Sequence, residues 1–278
     1  MHYPLSYCTN VHPCRSRDDL ERIISQEARS VQEQCGFGIG IGLWLPEVVV
    51  SKVAHDATVT KSIASLLADQ GLQCFSLNAF PFGDFHSERV KEKVYLPDWS
   101  DVRRLEYTRL CSQFLAGIVT GEDEGSISTL PLAYKQAAQA ADFSKRAIDQ
   151  LMQLARDLDR LHHETGKIIR LAIEPEPFCL LETTPETIQF FEILWDTADK
   201  AGIGGLVRQH IGVCYDVCHQ AVEFEDADTA IRELATADIR INKVQISCAI
   251  ELDKPSDDKA RQALATFAEQ RYLHQTFA

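Results

Sequence analysis

The sequence is short of positive charge, with 28 Lys and Arg against 41 Asp and Glu and a net charge of −13 over 278 residues. It has no basic run, so sequence-independent nucleic-acid binding, which needs a basic surface, is not expected. No apolar stretch approaches the roughly 20 residues that span a bilayer. The first residues lack the charged and apolar regions of a signal peptide. These absences favour a cytoplasmic protein without a membrane span.

The nine cysteines include no CxxC pair, and the closest spacing is from Cys214 to Cys218. Most lie in apolar, strand-like surroundings, where a free thiol behaves as a small hydrophobic group. An odd number of scattered cysteines does not suggest a disulfide framework. The pattern indicates buried, reduced thiols in a reducing compartment.

Short apolar runs alternate along the chain with longer segments of helical period. The runs begin near Leu5, Ile39, Leu72, Ser126, Ile168, Ile211 and Ile241. Runs buried on both faces and separated by helices indicate parallel strands. An open doubly wound sheet usually carries a glycine-rich phosphate loop after its first strand, and none follows here. Seven consecutive units therefore predict a (β/α) barrel, as a single α/β domain over residues 1–278.

Local signals place several helix ends. A long helix is predicted from about Leu132 to His163. Thr184 is expected to be the N-cap of the next helix, with proline at its first position. Asp56 or Thr58 is expected to begin an earlier helix. The glycines at 36, 38, 40 and 42 are interpreted as close backbone packing along the second strand.

Polar residues follow three of the predicted strands, where the active sites of such barrels lie. Glu174 ends the fifth strand just before a proline, which cannot continue a sheet ladder. Asp216 and His219 follow the sixth strand, and a carboxylate and an imidazole can share a divalent metal. Gln245, in the seventh strand, is either a core amide or a ligand. Together these side chains predict a divalent-metal pocket.

Side-chain alternation adds a condition to this prediction. If Glu174 points into the barrel, Arg170 shares its face. On the seventh strand, Lys243, Gln245 and Ser247 would then line the interior too. The buried cations would need acidic or carbonyl partners, since an unpaired buried charge is costly.

Glu174-Pro175, the Asp216-x-x-His219 pattern and a polar seventh-strand side chain resemble the xylose-isomerase-like TIM-barrel superfamily. That superfamily includes sugar and sugar-phosphate isomerases and epimerases. Four segments resemble more narrowly the EboE-type metabolite traffic proteins; these are residues 5–13, 78–83, 125–132 and 214–219. The resemblance covers nearly the whole chain.

The resemblance implies that Glu174, Asp216 and the seventh-strand position bind a divalent metal, and that Glu174 and His219 serve catalysis. His219 would be either a metal ligand or a substrate contact. Gln245 stands where the family usually has His. An amide oxygen suits Mg or Mn better than Zn, so the metal remains open among Mn, Mg and Zn.

Further polar residues are expected to contact the substrate because they follow strands or lie in the long third loop. They are His12, Asn10, Asn78, Glu176 and His86.

The leading hypothesis is a metal-dependent isomerase or epimerase acting on a small polyhydroxylated, sugar-like or sugar-phosphate-like substrate. Such a reaction removes a proton beside a carbonyl and stabilises the resulting enediolate. The alternative is a non-catalytic or weakly catalytic metabolite-binding and traffic protein of the EboE type. Phosphodiester hydrolysis on DNA is the least favoured, because the charge is wrong for nucleic acid. Whether the chain is an enzyme is left open between the first two.

The end of the chain predicts an open barrel. Residues 257–268 are expected to form a helix whose apolar face is Ala260, Ala263, Leu264 and Phe267. The ten residues from Glu269 to Ala278 are too few for both an eighth strand and its helix. The expectation is a truncated form, or a seven-stranded variant whose gap is covered by the tail or by a partner, so an oligomer is possible.

Overall fold

The computed structural model describes residues 5–84, 86, 91–119 and 124–268. Its strands form one sheet in chain order, and each neighbouring pair is parallel. The strands are β1 Ser6–Cys8, β2 Gly40–Trp44, β3 Cys74–Asn78, β4 Glu124–Thr129, β5 Ile168–Ile173, β6 Ile211–Asp216 and β7 Ile241–Gln245. Each begins within two residues of its predicted start, which confirms the alternating β/α organisation.

Helices fill the intervals between the strands and follow the last one. They are α1 Arg17–Arg22, α2 Arg29–Cys35, α3 Glu47–Ala54, α4 Ala57–Asp69, α5 Val102–Ile118, α6 Phe143–Thr165, α7 Thr184–Lys200, α8 Gly204–His210, α9 Val217–Val222, α10 Ala227–Thr236 and α11 Asp258–Ala265. A π-helical segment, Ile23–Ala28, joins α1 to α2, and 3₁₀ turns cover Thr9–Val11 and Lys91–Tyr95.

Alternation along the strands separates the helix-covered face of the sheet from its inner face. A Cβ added to Gly125 would touch Leu115 of α5, so Gly125 and the fully buried Ile127 face the helices. Ser126 and Ser128 therefore face inward. Their register partners on β5 are Arg170 and Ala172, which places Glu174 on the inner face as well.

The sheet curls around this inner face. Lys243 of β7 extends its Nζ to Ser128 Oγ (3.0 Å) and to the carbonyl of Leu77 on β3 (3.4 Å). Arg170 is paired with Glu124, with Nη1 2.5 Å from Oε2. Both interior cations thus have the partners that their burial requires. Within the described residues β1 and β7 do not pair with each other, so the barrel is open along that line.

The β6–β7 pair carries an irregularity that a glycine permits. The register shifts between Val213 and Cys214. A Cβ on Gly212 would lie 2.2 Å from the Arg240 carbonyl oxygen and 2.7 Å from Asn242 Nδ2. The side-chain amide of Asn242 lies where a Cβ on Gly212 would be in close contact, and it donates to the Leu171 carbonyl at 2.7 Å. A larger residue at 212 would therefore push β7 away from β6.

Two predicted helix starts were wrong. Helix α6 begins at Phe143, not near Leu132, because Leu132 has a φ of 69° and Tyr134 pairs as a bridge with Cys179. Thr183, not Thr184, caps α7 in a capping box with Glu186. The start of α4 agrees with the prediction.

Two further expectations need correction. Only two of the four glycines at 36–42 lie in β2, and Gly36 instead ends α2 with a φ of 70°. Helix α11 forms, but none of its residues is buried, and Phe267 is 66% exposed. Its predicted apolar face is therefore not core. The predicted role of the tail, residues 269–278, lies outside the described residues.

All nine cysteines are free thiols, and five of them are buried. No helix in the described part of the chain has the length and hydropathy that crossing a bilayer requires.

Candidate metal and active site

Three neighbouring strands bring the predicted polar residues to one edge of the barrel. Glu174 follows the last residue of β5, while Asp216 and Gln245 are the last residues of β6 and β7. The carboxyl ends of parallel strands meet at the same edge, which is where barrel enzymes place their active sites. His219 reaches this edge from the first turn of α9.

The side-chain amide of Gln245 bridges the two carboxylates. Its Nε2 donates to Glu174 Oε1 at 2.8 Å and to Asp216 Oδ2 at 2.7 Å. The two carboxylates therefore lie on either side of one donor group. It is the amide nitrogen, not the oxygen, that faces them, so Gln245 could bind a cation only after its amide rotates.

Asp216 is stabilised as a carboxylate. Its Oδ1 accepts from Ser247 Oγ (2.5 Å) and from the backbone N–H groups of Cys218 (3.0 Å) and His219 (3.4 Å). Burial by itself would raise the pKa of Asp216. The positive charge of His219 and these hydrogen bonds outweigh burial and lower the pKa.

Glu174, in contrast to Asp216, is destabilised as a carboxylate. It is 5% exposed, and its buried Oε2 has no hydrogen-bond partner among the described residues. Burial raises the pKa of Glu174 to about 7, because the charged form loses its hydration. The charges of Asp216 and Glu176 act in the same direction, and those of His219 and Lys243 oppose them.

His219 is held by the backbone of the fifth strand's loop. Its Nδ1 lies 3.1 Å from the Pro175 carbonyl oxygen, which can only accept, so Nδ1 carries a proton. Burial lowers the pKa of His219. The negative charges of Glu176, Glu174 and Asp216 raise it and together outweigh burial, so the pKa lies above its usual value. The same Nδ1 is 3.8 Å from Glu174 Oε1.

These residues fit a divalent cation. Two carboxylates and an imidazole converge. Glu174 Oε2, which has no partner in the described part of the chain, is the kind of buried oxygen that a cation or substrate hydroxyl satisfies. Ligand atoms of Asp216, Cys218 and His219 also lie within 4.8 Å of one another. The donor set is thus compatible with Mn, Mg or Zn.

Among the five predicted substrate contacts, Glu176 is near enough for its charge to raise the pKa of both Glu174 and His219, while three others form no hydrogen bond with this cluster in the described residues. Asn78 is buried and accepts from the backbone N–H of Phe80 (2.8 Å), and His12 Nε2 is 2.7 Å from Tyr7 Oη. Asn10 has a buried Oδ1 without a partner in the described residues. No hydrogen bond in the described part of the chain joins these three side chains to Glu174, Asp216, His219 or Gln245.

The other two predicted contacts lie beside aromatic side chains. Glu176 accepts from Tyr95 Oη at 2.9 Å. The His86 ring centroid lies 5.7 Å from that of Trp44.

Two residues of the cluster were missed as site residues. Ser247 Oγ donates to Asp216 Oδ1 and itself accepts the backbone N–H of Cys218 at 2.9 Å. Side-chain alternation predicted that Ser247 faces inward, but it did not predict the hydrogen bond from Ser247 to Asp216. The Cys218 thiol was interpreted with the other cysteines as inert, and its place between Asp216 and His219 was the available signal.

No protein-family model and no curated protein matches the chain. Solved structures do. An L-ribulose 3-epimerase is 14% identical, with 96% of this chain and 88% of that one covered and a TM-score of 0.55. A family 2 AP endonuclease from Brucella melitensis is 15% identical (94% and 89% covered, TM-score 0.54). A xylose isomerase-like TIM barrel protein from Mycobacterium smegmatis in complex with magnesium is 14% identical (84% and 71% covered, TM-score 0.52).

Identities this low show the fold. The chain has the fold of the xylose isomerase-like TIM barrels, as its motifs predicted. Its closeness to the EboE-type proteins stays a prediction. Because this fold carries an epimerase and an endonuclease alike, the reaction must be argued from the site.

Proposed function

We propose that the protein is a divalent-cation-dependent isomerase or epimerase of a small polyhydroxylated, sugar-like or sugar-phosphate-like substrate. The supporting observation is the Glu174 carboxyl group, which is buried, has an Oε2 without a partner among the described residues and has a pKa raised to about 7. A base with a pKa near neutrality is suited to removing a proton from a carbon beside a carbonyl.

Each residue of the cluster has its own role in the proposed reaction. Glu174 Oε2 accepts the proton from carbon, and the electron pair moves onto the carbonyl oxygen to form an enediolate. Return of that proton to the neighbouring carbon, with the hydroxyl proton passing to the former carbonyl oxygen, gives an isomer. Return to the opposite face of the first carbon needs a second acid. Lys243, whose charge acts on Glu174, places positive charge near the enediolate.

Glu174, Asp216 and His219 are the residues that would hold the cation, together with Gln245 if its amide rotates. When bound, a divalent cation supplies positive charge to adjacent substrate oxygens. The polar residues Asn10 and His12, which follow β1, and Asn78, which ends β3, offer hydrogen bonds to further hydroxyl groups. The net charge of −13 disfavours a phosphodiester substrate on DNA.

A metabolite-binding protein without catalysis is the second candidate. It is favoured by the Gln245 amide, whose Nε2 already bridges Glu174 and Asp216. In that arrangement a donor group satisfies one oxygen of each carboxylate without a cation. Such a site could hold a polyhydroxylated molecule by hydrogen bonds alone.

The test is hydrogen exchange at carbon. The purified chain is incubated in D₂O with a panel of ketoses, aldoses and their phosphates, with Mn²⁺ or Mg²⁺ present, and NMR follows deuterium entering beside the carbonyl. We expect exchange with at least one compound and loss of exchange in Glu174→Gln. The exposed Glu192→Gln on α7 is the matched control and should exchange like the parent protein.

The two candidates give different results in this experiment. Saturable binding of a panel member without deuterium incorporation would contradict the isomerase and support the binding protein. Exchange that persists in Glu174→Gln would contradict the assignment of the base. Elemental analysis of the purified protein provides an independent measure of whether one divalent cation is carried.

A further inference from the structure

The Cys218 thiol lies between two residues of the proposed cation site. Asp216 ends β6 and caps α9, and its Oδ1 accepts the backbone N–H groups of both Cys218 and His219. This cap fixes the positions from which the two side chains project. Ligand atoms of Asp216, Cys218 and His219 lie within 4.8 Å of one another. Bond lengths of about 2.0–2.3 Å at a tetrahedral zinc place neighbouring ligand atoms about 3.3–3.8 Å apart, so closure needs only small side-chain movements.

The hydrogen bonds around these side chains are those that orient metal ligands. A metal-bound imidazole commonly donates its other N–H to a backbone carbonyl, which fixes the ring and its tautomer. His219 Nδ1 has that partner in the Pro175 carbonyl, 3.1 Å away, so Nε2 is the nitrogen left for a ligand. Asp216 is likewise held by Ser247 Oγ at 2.5 Å.

A separate observation points to a cation at this place. Glu174 is 5% exposed, and its Oε2 is buried without a hydrogen-bond partner in the described residues. Its other oxygen is 3.8 Å from His219 Nδ1 and accepts from Gln245 Nε2, which also donates to Asp216, so the carboxyl group adjoins both His219 and Asp216. It adds a buried acceptor beside the group formed by Asp216, Cys218 and His219.

The chemistry of this set selects among cations. Mg²⁺ takes oxygen ligands and keeps several waters, whereas sulfur and imidazole ligands favour Zn²⁺ and similar d-block ions. The half-buried thiol of Cys218 differs from that of Cys214, which is fully buried on β6. Among the described residues it is the Cys218 thiol whose sulfur lies within 4.8 Å of ligand atoms of both Asp216 and His219.

We infer that Cys218 is a ligand of the cation and that the site takes a thiolate-accepting ion of the Zn²⁺ and Co²⁺ class in preference to Mg²⁺. The inference rests on the cation site of the proposed function and narrows the choice of the ion that binds there. Binding would transfer the thiol proton to solvent as the sulfur–metal bond forms.

Co²⁺ is the probe, because a thiolate ligand gives it a near-ultraviolet charge-transfer absorption that oxygen and nitrogen ligands do not. The chain is stripped with a chelator and titrated with Co²⁺ alone. We expect one equivalent to bind with this absorption, and Mg²⁺ in large excess not to displace it. Cys218→Ser should lose the absorption and bind Co²⁺ at least about tenfold more weakly. The exposed Cys248→Ser is the matched control and should keep both.

A second measurement uses the unaltered protein. Alkylation of each cysteine is followed by mass spectrometry with and without Zn²⁺. Protection should be specific to Cys218, while the exposed Cys8, Cys35 and Cys248 react equally in both conditions.

Three outcomes would overturn the inference: Co²⁺ bound without charge transfer, charge transfer that survives in Cys218→Ser, or no protection of Cys218 by Zn²⁺. If Mn²⁺ or Mg²⁺ still supports deuterium exchange in those cases, the proposed function stands and only the thiolate ligand is rejected. If no divalent ion binds and no exchange occurs, the proposed function fails as well.

Discussion

Replacing Glu174 with Gln is expected to stabilise the folded chain at alkaline pH. The folded state holds this carboxyl group buried, with a pKa raised from 4.5 to about 7. Ionisation is therefore more costly in the folded than in the unfolded chain. Glutamine has nearly the same shape, keeps an oxygen for the Gln245 amide and carries no charge.

The size of the effect follows from linkage between protonation and folding. Between the unfolded and folded pKa values the folded state binds more protons, so its stability falls as pH rises through that interval. A shift from 4.5 to about 7 corresponds to about 3 kcal/mol at pH 8 and about 1 kcal/mol at pH 5.5. Glu174→Gln removes this loss, so its advantage over the parent chain should grow with pH.

Urea unfolding of both proteins, in chelator at pH 5.5 and pH 8, measures the difference. Glu192→Gln, exposed on α7, should leave the free energy of unfolding unchanged at both values. A Glu174→Gln chain that is less stable than its parent at pH 8 would refute the assignment of a destabilising, buried carboxylate. A constant difference across pH would refute its raised pKa.

Three further results are expected from the same unfolding measurements. Arg104 is fully buried and donates to the carbonyls of Pro97, Ala79 and Phe80, so Arg104→Met should cost on the order of 3 kcal/mol; a cost below 1 kcal/mol would contradict this. Thr183→Ala removes the N-cap of α7 and should cost about 1 kcal/mol, whereas the conservative Thr183→Ser should cost little. Burial lowers the pKa of His210 below its usual 6.5, so stability should fall as pH drops below about 6.5, when the unfolded chain takes up the proton first; His210→Gln should reduce that slope, and an unchanged slope would exclude His210 as its source.

Helix ends show where local sequence was insufficient. The segment from Leu132 carries helix-forming residues, yet it stays irregular up to α6 because Tyr134 pairs with Cys179 in a distant loop. Adjacent threonines at 183 and 184 are equally good caps by type. Thr183 takes the cap because Thr184 donates its hydroxyl to Glu225, 41 residues away. Both helix starts therefore depend on contacts between residues far apart in the chain, which local hydrophobic periodicity does not reveal.

The sequence by itself determined the order and boundaries of the strands, the inward face of β5 and β7, and the strand ends that carry Glu174, Asp216 and Gln245. These follow from hydrophobic alternation and from Pro175, which act over a few residues. Only the tertiary structure decided that the Gln245 amide nitrogen bridges two carboxylates, that Glu174 has an oxygen without a partner in the described residues, and that Ser247 of the chain after β7 hydrogen-bonds Asp216. Those features depend on side chains from three strands meeting within hydrogen-bond distance, and such distances arise only when the sheet is curled and packed.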